Sequence, residues 1–559
     1  MNKASKFQKL ILTIVIVLII NLAGSQFFHR FDLTNDQRYT LSQTSLDIVQ
    51  KVDEPLYIDV YLDGDFPSEF KKLQTETQQL LQEFKSRNSN IIFQFINPLD
   101  SNDKNLGKAK ELVGKGLTPV SVSVDNKGKQ EQSMVFPWAT ARLGNKEIKI
   151  QLLKNMLGAS TADKVVSSVQ HLEYAFANAI NTVSQTKQKK IAVLKGNDEL
   201  PDIFMADFIK EIRDNYYIGT FTLDSVAKKP VESLSVLKKY DLLIIAKPQE
   251  KFSDNEKQVL DQYIISGGKT LWLLDMVHAE MDDLNQTGAT MAFGNDLDLN
   301  EMFFKYGIRI LPELIKDEQC TPIKLATGEP GSKTEYQQYP WKFSPFIYPE
   351  SNNPIVKNLD GIKFDFCNPI ELLKNNIQKT ILLQSSINSR KVGAPVQINL
   401  NMVEEKSAPA EYFNKGNIPV AVLLQGKFKS MYENRVLPFD DASFINSSVR
   451  NNKMIVITDG DVIKNQIDKS GIPLELGFDK WTKNVYGNKE FVMNCVNYLL
   501  DDKGLINIRS KDVNIPLLDK EKVFENYSKN QFMALGLPII MLVLFGVIFT
   551  YLRKRKYAK

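Results

Sequence analysis

Acidic residues collect where the apolar runs of this 559-residue chain end: Asp275 closes "KTLWLLD", Asp282 and Asp283 follow it, and Asp459 and Asp461 close "KMIVITDGD". Carboxylates grouped at strand ends have the hardness to ligate a divalent cation. Asp and Gly after a buried strand also form turns through side-chain to backbone hydrogen bonds, and that reading is preferred, so no metal is expected. Asp63-Gly64-Asp65 reads as a turn for the same reason.

Nucleophilic catalysis has little to work with. The three histidines are His29, His171 and His278, and no G-x-S-x-G elbow or comparable cysteine turn accompanies them, so a Ser/His or Cys/His pair has no frame. His278, after "WLLDMV", is the one position worth testing; its plainer role is a loop residue capping nearby carboxylates. "SGGKT" at 266–270 resembles a phosphate loop, but Tyr263 stands where that motif needs glycine, and the turn runs from helix to strand instead of strand to helix. Cys320, Cys367 and Cys495 are too scattered for a disulfide framework or a zinc site. Cys495 shares a helical face with Phe491, Val492, Val496, Leu499 and Leu500, the pattern of a core thiol. No catalytic residue and no cofactor is assigned.

The elements that must position these residues read as α/β. A juxtamembrane helix starts near Thr40 and Gln43, a capping-box pair, and ends before Pro55. A β-α-β unit follows (56–62, an amphipathic helix at 68–87, and "NIIFQFI"), then strands at 120–124 and 146–152 and a helix at 165–183. After the polar linker "SQTKQKK" a second α/β domain opens: strand 190–196, helix 204–212, strand "DLLIIAK", helix 254–265 capped by Ser253 with Glu256, and strand "KTLWLLD". Its unalternating apolar runs imply strands covered on both faces, as in a mainly parallel sheet. The text at 281–300 reads as an exposed loop, "LNEMFFKYGIRI" as helix, turn and strand, and 329–354 as an irregular excursion dense in proline. Strands at "KTILLQS", "IPVAVLL" and "KMIVITDGD" are expected to join the same sheet, and a helix at 491–500 completes it.

Both ends are apolar. Residues 7–28 reach roughly 33 Å as a helix, enough to span a bilayer, and 532–552 do the same. Lys3, Lys6 and Lys9 flank the first run; Arg553, Lys554, Arg555 and Lys556 follow the second, which places both termini in the cytoplasm and the bulk of the chain outside. A cleaved signal peptide is the rival reading of the first run, disfavoured because Phe27 and Phe28 extend it and no A-x-A site follows. Asn21 in the first span, and Gly536, Pro538 and Gly546 in the second, are candidates for docking on a permease, since small residues let helices approach closely; Gly and Pro are also simply common in membrane helices. A composition of 24% charged and 43% hydrophobic residues with net charge +4 is globular and excludes a nucleic-acid partner. The expected organisation is 1–6 cytoplasmic, 7–28 spanning, 29–187 and 188–510 as external α/β domains, 511–531 juxtamembrane, 532–552 spanning and 553–559 a cytoplasmic basic tail.

Three stretches, "RFDLTNDQRYTLS", "FSDNEKQVLDQYIISGGKTLWLLD" and "GNKEFVMNCVNYLLDDKGLINIRSK", together with "LNEMFFKYGIRI", resemble in their order and spacing the GldG family of gliding-motility ABC-transporter auxiliary subunits. The resemblance covers nearly the whole chain. It implies work beside a separate ATPase subunit and a separate polytopic permease in a bacterial inner membrane. It also implies a central domain similar to class I glutamine-amidotransferase folds without their chemistry and related to a domain of intraflagellar-transport proteins. Relatives often carry a Gly-His-Gly-Glu-like turn after the first central strand, where this chain has Lys195-Gly196-Asn197-Asp198-Glu199, and the missing His argues further against catalysis. With no Walker motif in the chain, the expectation is a non-catalytic auxiliary subunit that binds cargo or an envelope partner outside the membrane. The alternative is a membrane-tethered hydrolase or amidotransferase-like enzyme. A sensor is disfavoured, because the expected cytoplasmic ends are too short for an output domain.

Overall fold

The computed structural model describes residues 12–17, 32, 40–64, 66–99, 107–126, 129–327, 334–406, 409, 416–511 and 525–557. Lys3, Lys6, Lys9, Asn21 and all of the first apolar run except 12–17 lie outside these residues. The chain divides into two compact units, 1–512 and 513–559.

The first unit begins with helix α1 (Gln43–Gln50). Its cap is Ser42, not Thr40: the Ser42 hydroxyl accepts from the Ser45 amide, while Thr40 donates to Asp32. A capping box would satisfy the cap amide from the helix's own third residue. Here Glu173, on a distant helix, accepts from the Ser42 amide at 2.7 Å, so the start of α1 is fixed by tertiary contact. Strand β1 (Leu56–Val60), helix α2 (Ser68–Arg87) and strand β2 (Ile91–Phe95) form a parallel β-α-β unit. Helix α3 (Gly107–Gly114) and the hairpin β3 (Val120–Asn126) with β4 (Lys129–Val135) follow. Strands β5 (Trp138–Leu143) and β6 (Lys146–Gln151) complete a four-stranded sheet in the order β2-β1-β5-β6. Helix α4 (Thr161–Ser184) packs against both α2 and this sheet.

Next comes a sheet wound on both faces. It is built from β7 (Lys190–Lys195), α5 (Ala206–Asn215), β8 (Tyr217–Thr222), α6 (Pro230–Leu237), β9 (Leu242–Ala246), α7 (Asp254–Ile265) and β10 (Lys269–Leu273). The sequence reading lacks β8 and α6. Strand β8 is an edge strand that buries only Phe221, so its text carries little apolar signal. The chain then leaves the sheet through α8 (Met281–Thr287), β11 (Ala289–Gly294), α9 (Asn300–Tyr306) and a hairpin of β12 (Cys320–Thr327) with β13 (Glu335–Ile347). It returns as β14 (Gln378–Gln384), β15 (Pro419–Gly426), β16 (Asn452–Ile457) and α10 (Asn488–Leu500).

The final strand order is β14-β15-β16-β10-β9-β7-β8. Strands β8, β7, β9, β10 and β16 are parallel, while β15 pairs antiparallel with both β16 and β14, so the late strands do join the sheet but make it mixed. Alternate residues of β9 enter two separate cores: Leu242, Ile244 and Ala246 meet α5 and α10, whereas Leu243 and Ile245 meet α6 and α7. That two-sided burial is why its sequence is apolar without alternation. The capping box of α7 forms as expected from Ser253 and Glu256. Gly268 has a packing role: a Cβ there would lie 2.3 Å from the Tyr263 ring, so the glycine of "SGGKT" makes room for the same tyrosine that breaks the phosphate-loop pattern.

Two segments expected to be irregular are ordered. Residues 281–300 hold α8 and β11, anchored by fully buried Leu284 and Ala292, and 335–347 form a 13-residue strand.

In the second unit the segment Tyr527–Tyr557 is one helix long and apolar enough to cross a membrane. It contains a π-helical turn at Phe532–Gly536, directly before α11 (Leu537–Tyr557). Pro538 has no N–H and its ring crowds the carbonyl four residues back; a widened turn accommodates both.

Candidate functional site

Strands β7, β9, β10 and β16 end at the same edge of the sheet, and residues beyond β9, β10 and β16 form one charged cluster. Its centre is Lys247, the first residue after β9, which is 5% exposed and has a left-handed backbone at φ +54°. Its ammonium lies 2.8 Å from both Asp461 carboxylate oxygens, 2.8 Å from Glu280 and 3.5 Å from Asp275. Burial opposes the charge on Lys247, but Asp461, Asp275 and Glu280 overcome that cost and hold its pKa well above the usual lysine value. Burial likewise works against Asp461, yet Lys247 and Lys464 hold it well below the carboxylate range. Gly460 permits the approach, since a Cβ there would meet the Lys247 Cβ at 2.5 Å.

The other acids in the cluster are held by backbone amides. Asp275 accepts from the Gly460 amide at 2.6 Å, and Asp459 accepts from the amides of Asp461 and Asp365 at 2.7 and 2.6 Å. Burial, with the nearby charges of Asp275 and Asp461, pushes the Asp459 carboxyl well above its usual range. Asp275 is raised to about 6 by burial, against the pull of Lys247.

The sequence groups Asp275, Asp282, Asp283, Asp459 and Asp461; the structure brings Asp275, Asp459 and Asp461 together around Lys247 and Glu280, neither of which the sequence singles out, while Asp282 lies 3.6 Å from Lys464 and Asp283 accepts from Thr290 at 3.3 Å. Among the described residues no group of three or more His, Cys, Asp or Glu is placed to hold a metal ion. The physical reason at this cluster is that the lysine ammonium already occupies the centre of negative charge. His278 pairs differently from expectation: its Nδ1 faces the Gln249 amide oxygen at 3.3 Å and its ring lies 4.9 Å from Phe293, so its partner is an amide and not a carboxylate.

Asp275 gives the cluster a pH signature. A carboxyl that titrates near 6 when folded and near ~3.9 when unfolded binds its proton more tightly in the folded state. Its contribution therefore favours folding most below about pH 4 and declines as pH rises through 6. Replacing Asp275 by Asn, which still accepts from the Gly460 amide, removes that contribution. The melting temperature of D275N relative to wild type is expected to rise steadily from pH 4 to pH 7; parallel melting curves across that range would contradict this account.

A groove of about 420 Å³ opens beside the cluster, outside the carboxyl edge of the sheet. This is where ligands sit in open α/β folds. Its walls are α8, strand β12 and the segment between Asp461 and Asn488, and Asp461 and Lys464 belong to both groove and cluster. At the strand-order reversal between β7 and β9 the chain fills its own crevice. There the Asn197 amide donates to Glu199, and the carbonyl of Asn197 accepts from the amides of Gln249 and Glu250.

A second charged centre ties residues 505–511 to helix α4. Arg509, 1% exposed, donates from Nε to the Pro354 carbonyl (3.1 Å), from Nη2 to the Lys357 carbonyl (2.9 Å) and from Nη1 to Glu490 (2.9 Å). Its Nη1 also lies 3.1 Å from His171 Nδ1, and the guanidinium stacks over Tyr174. Arginine offers only donors, so His171 must accept through an unprotonated Nδ1. Burial, helped by Lys154 and Arg509, keeps that imidazole neutral, far below its usual pKa. Glu490 also receives Lys154 at 3.0 Å; burial opposes its charge, but the two cations draw its pKa down to about 2. Beside this, Lys511 donates to the Thr40 carbonyl at 2.6 Å and pairs with Glu173 at 3.1 Å. Thr40 and Lys511, 471 residues apart in the chain, are thus in direct contact.

In the apolar helix, a Cβ on Gly536 would lie 2.8 Å from the Phe532 ring, while Gly546 has nothing within 4 Å of where a Cβ would stand. Pro538 follows the π turn, and Arg553 to Lys556 occupy the helix's last turns, where cations complement its dipole.

Residues 35–142 match a domain of unknown function, DUF7088. A solved structure titled "mmIFT52 N-terminal domain" is similar over 56% of this chain and 99% of its own, at 15% identity and a TM-score of 0.31. No curated protein matches. Residues 188–495, more than half of the chain and containing both the sheet and the lysine cluster, match the family described as an ABC-type uncharacterized transport system, and the chain belongs to that ABC-transporter auxiliary family.

Proposed function

We propose that this chain is a non-catalytic, membrane-anchored auxiliary subunit of an ABC transporter, with its α/β regions 29–187 and 188–510 outside the cytoplasmic membrane. The observation that carries the reading is family membership over 188–495. The apolar runs 7–28 and 532–552, each flanked by lysines or arginines, support a two-pass arrangement. Both termini would be cytoplasmic, with Arg553 to Lys556 on that side. The chemistry agrees with a binding role: the buried ionic site at the sheet edge is a charge cluster in which three carboxylates are engaged by one lysine.

Driving force must come from others, namely a separate ATPase subunit and a polytopic permease, on which Asn21, Gly536, Pro538 and Gly546 are the proposed docking positions. Gliding motility is the proposed process. Affinity purification of the intact protein, followed by mass spectrometry, is expected to recover an ABC ATPase and a polytopic permease together. Recovery of the protein without either would overturn the proposal.

A further inference from the structure

The groove beside the lysine cluster is the feature of the molecule that most resembles a built ligand site, and its lining says what kind of ligand it suits. At about 420 Å³ it falls within the size range of small-molecule sites, roughly 300–1,000 Å³. Four lysines (324, 363, 464 and 480) and four aspartates (282, 365, 461 and 479) line it, so the formal charge of the wall is 4 − 4 = 0. These charges are largely satisfied within the protein. Lys363 holds Asp365 at 3.0 Å, Lys464 sits within 3.6 Å of Asp461 and Asp282, and Lys480 donates to the Ile467 carbonyl at 2.8 Å. A wall of neutralised charge provides no net attraction for an anion or a cation.

What remains available is of a different kind. Trp481 is about half exposed, no hydrogen bond engages its indole N–H, and the Lys480 ammonium lies over one face of its ring, 5.3 Å from the centroid; the exposed side-chain amides of Asn285 and Gln286, on α8 in the same groove wall, likewise make no hydrogen bond within the protein. The remaining indole face, with side-chain amides lining the same groove, suits a ligand with one apolar face and a rim of hydroxyls. The axial C–H bonds of a sugar ring present slight positive charge to the negative face of an indole, and hydroxyls both donate to and accept from amides.

An extended peptide is the competing ligand, and it would bind by adding to a free strand edge. Strand β12, at the groove wall, pairs on one side only, with β13. Its groove segment contains Pro322, which has no N–H to donate, and Lys324, and these two residue types blunt a sheet edge against strand addition.

We propose that this groove binds a neutral saccharide, stacked on Trp481 and hydrogen-bonded by Asn285 and Gln286. The inference rests on the reading of the external body as the binding part of a transport subunit, but it is tested separately from the identity of the transporter partners. Intact protein in a detergent without a sugar headgroup would be titrated with maltotriose, cellotriose and chitotriose, and with a neutral tetrapeptide, by calorimetry. At least one trisaccharide is expected to bind, with W481A and the double variant N285A/Q286A each weakening it at least tenfold at unchanged melting temperature. Failure of all three trisaccharides, equal affinity in W481A, or binding of the tetrapeptide alone would overturn the proposal. Such a result would leave the co-purification of an ATPase and permease unaffected.

Discussion

Lys247→Met is expected to destabilise the first unit by about 3–5 kcal/mol near neutral pH, the scale at which removing one partner of a buried ion pair leaves its counter-charges stranded. The loss is large because one ammonium serves three carboxylates: Asp461 at 2.8 Å, Glu280 at 2.8 Å and Asp275 at 3.5 Å. Asp459, its carboxyl pushed well above the usual range by burial and by the charges of Asp275 and Asp461, stands beside them. Methionine fills the space but leaves Asp461, now held below the carboxylate range by Lys247 and Lys464, with only the second of them. The sign with pH follows. Without Lys247 the folded-state pKa values of Asp461 and Asp275 move up, so the folded state binds protons that the unfolded chain does not, and stability declines as pH rises through the new values. Chemical denaturation should therefore show a gap between wild type and K247M that is widest near pH 7 to 8 and closes toward pH 4. A gap that is constant with pH would mean that lost packing, not stranded charge, is the cause. The double variant K247M/D461N should recover part of the loss at neutral pH, because it removes the carboxylate that depends most on the lysine.

Asp275, Asp459 and Asp461 were legible in the sequence as a group because each follows an apolar strand, and parallel strands put such positions on one edge; Glu280, seven residues after β10, was not. Lys247 was not, since its principal partner lies 214 residues further along the chain and "IIAKPQE" gives no local sign that its lysine is buried. Helix α7 was legible to its end residues because its capping box and terminal glycines are local signals. Strand β13 was not. Prolines 340 and 345 read as breakers, yet Pro340 stands opposite Pro322 across the hairpin, and Pro345 lies opposite Cys320 beyond a register shift, so the hairpin places its prolines where the ladder is already interrupted. Helix α8 was hidden by its brevity: a seven-residue helix that buries Leu284 alone has almost no periodicity to detect. The groove depends on these two misread elements, because α8 provides Asn285 and Gln286 and the hairpin provides its edge. Composition and periodicity revealed the sheet that carries the site; the insertions that give it walls were set by long-range packing.

Arg509→Ala is expected to cost about 3–5 kcal/mol by the same rule for buried charges, but to act at a different place. Wild-type Arg509 satisfies two backbone carbonyls, Pro354 and Lys357, that no side chain of alanine can reach, and each orphaned acceptor costs about 1–3 kcal/mol. It also shares Glu490 with Lys154 and orients the neutral His171, so its removal loosens the contacts that bind 505–511 to helix α4. Arg509→Lys should recover only a fraction, because an ammonium preserves the charge at Glu490 but cannot extend a planar fork to two carbonyls at once. This ordering, with wild type most stable, R509K intermediate and R509A least, would be read from urea midpoints of the intact protein. R509K equal to wild type would show that charge alone matters at this site. The same substitutions bear on the contact between 40–50 and 505–511. Lys511 reaches Thr40 and Glu173 from the segment that Arg509 anchors, and Glu173 in turn caps α1. Loss of the arginine should therefore increase amide hydrogen exchange at both 43–50 and 505–511, two segments far apart in sequence. Faster exchange in 505–511 alone would mean that the two segments are not mechanically joined and can move independently.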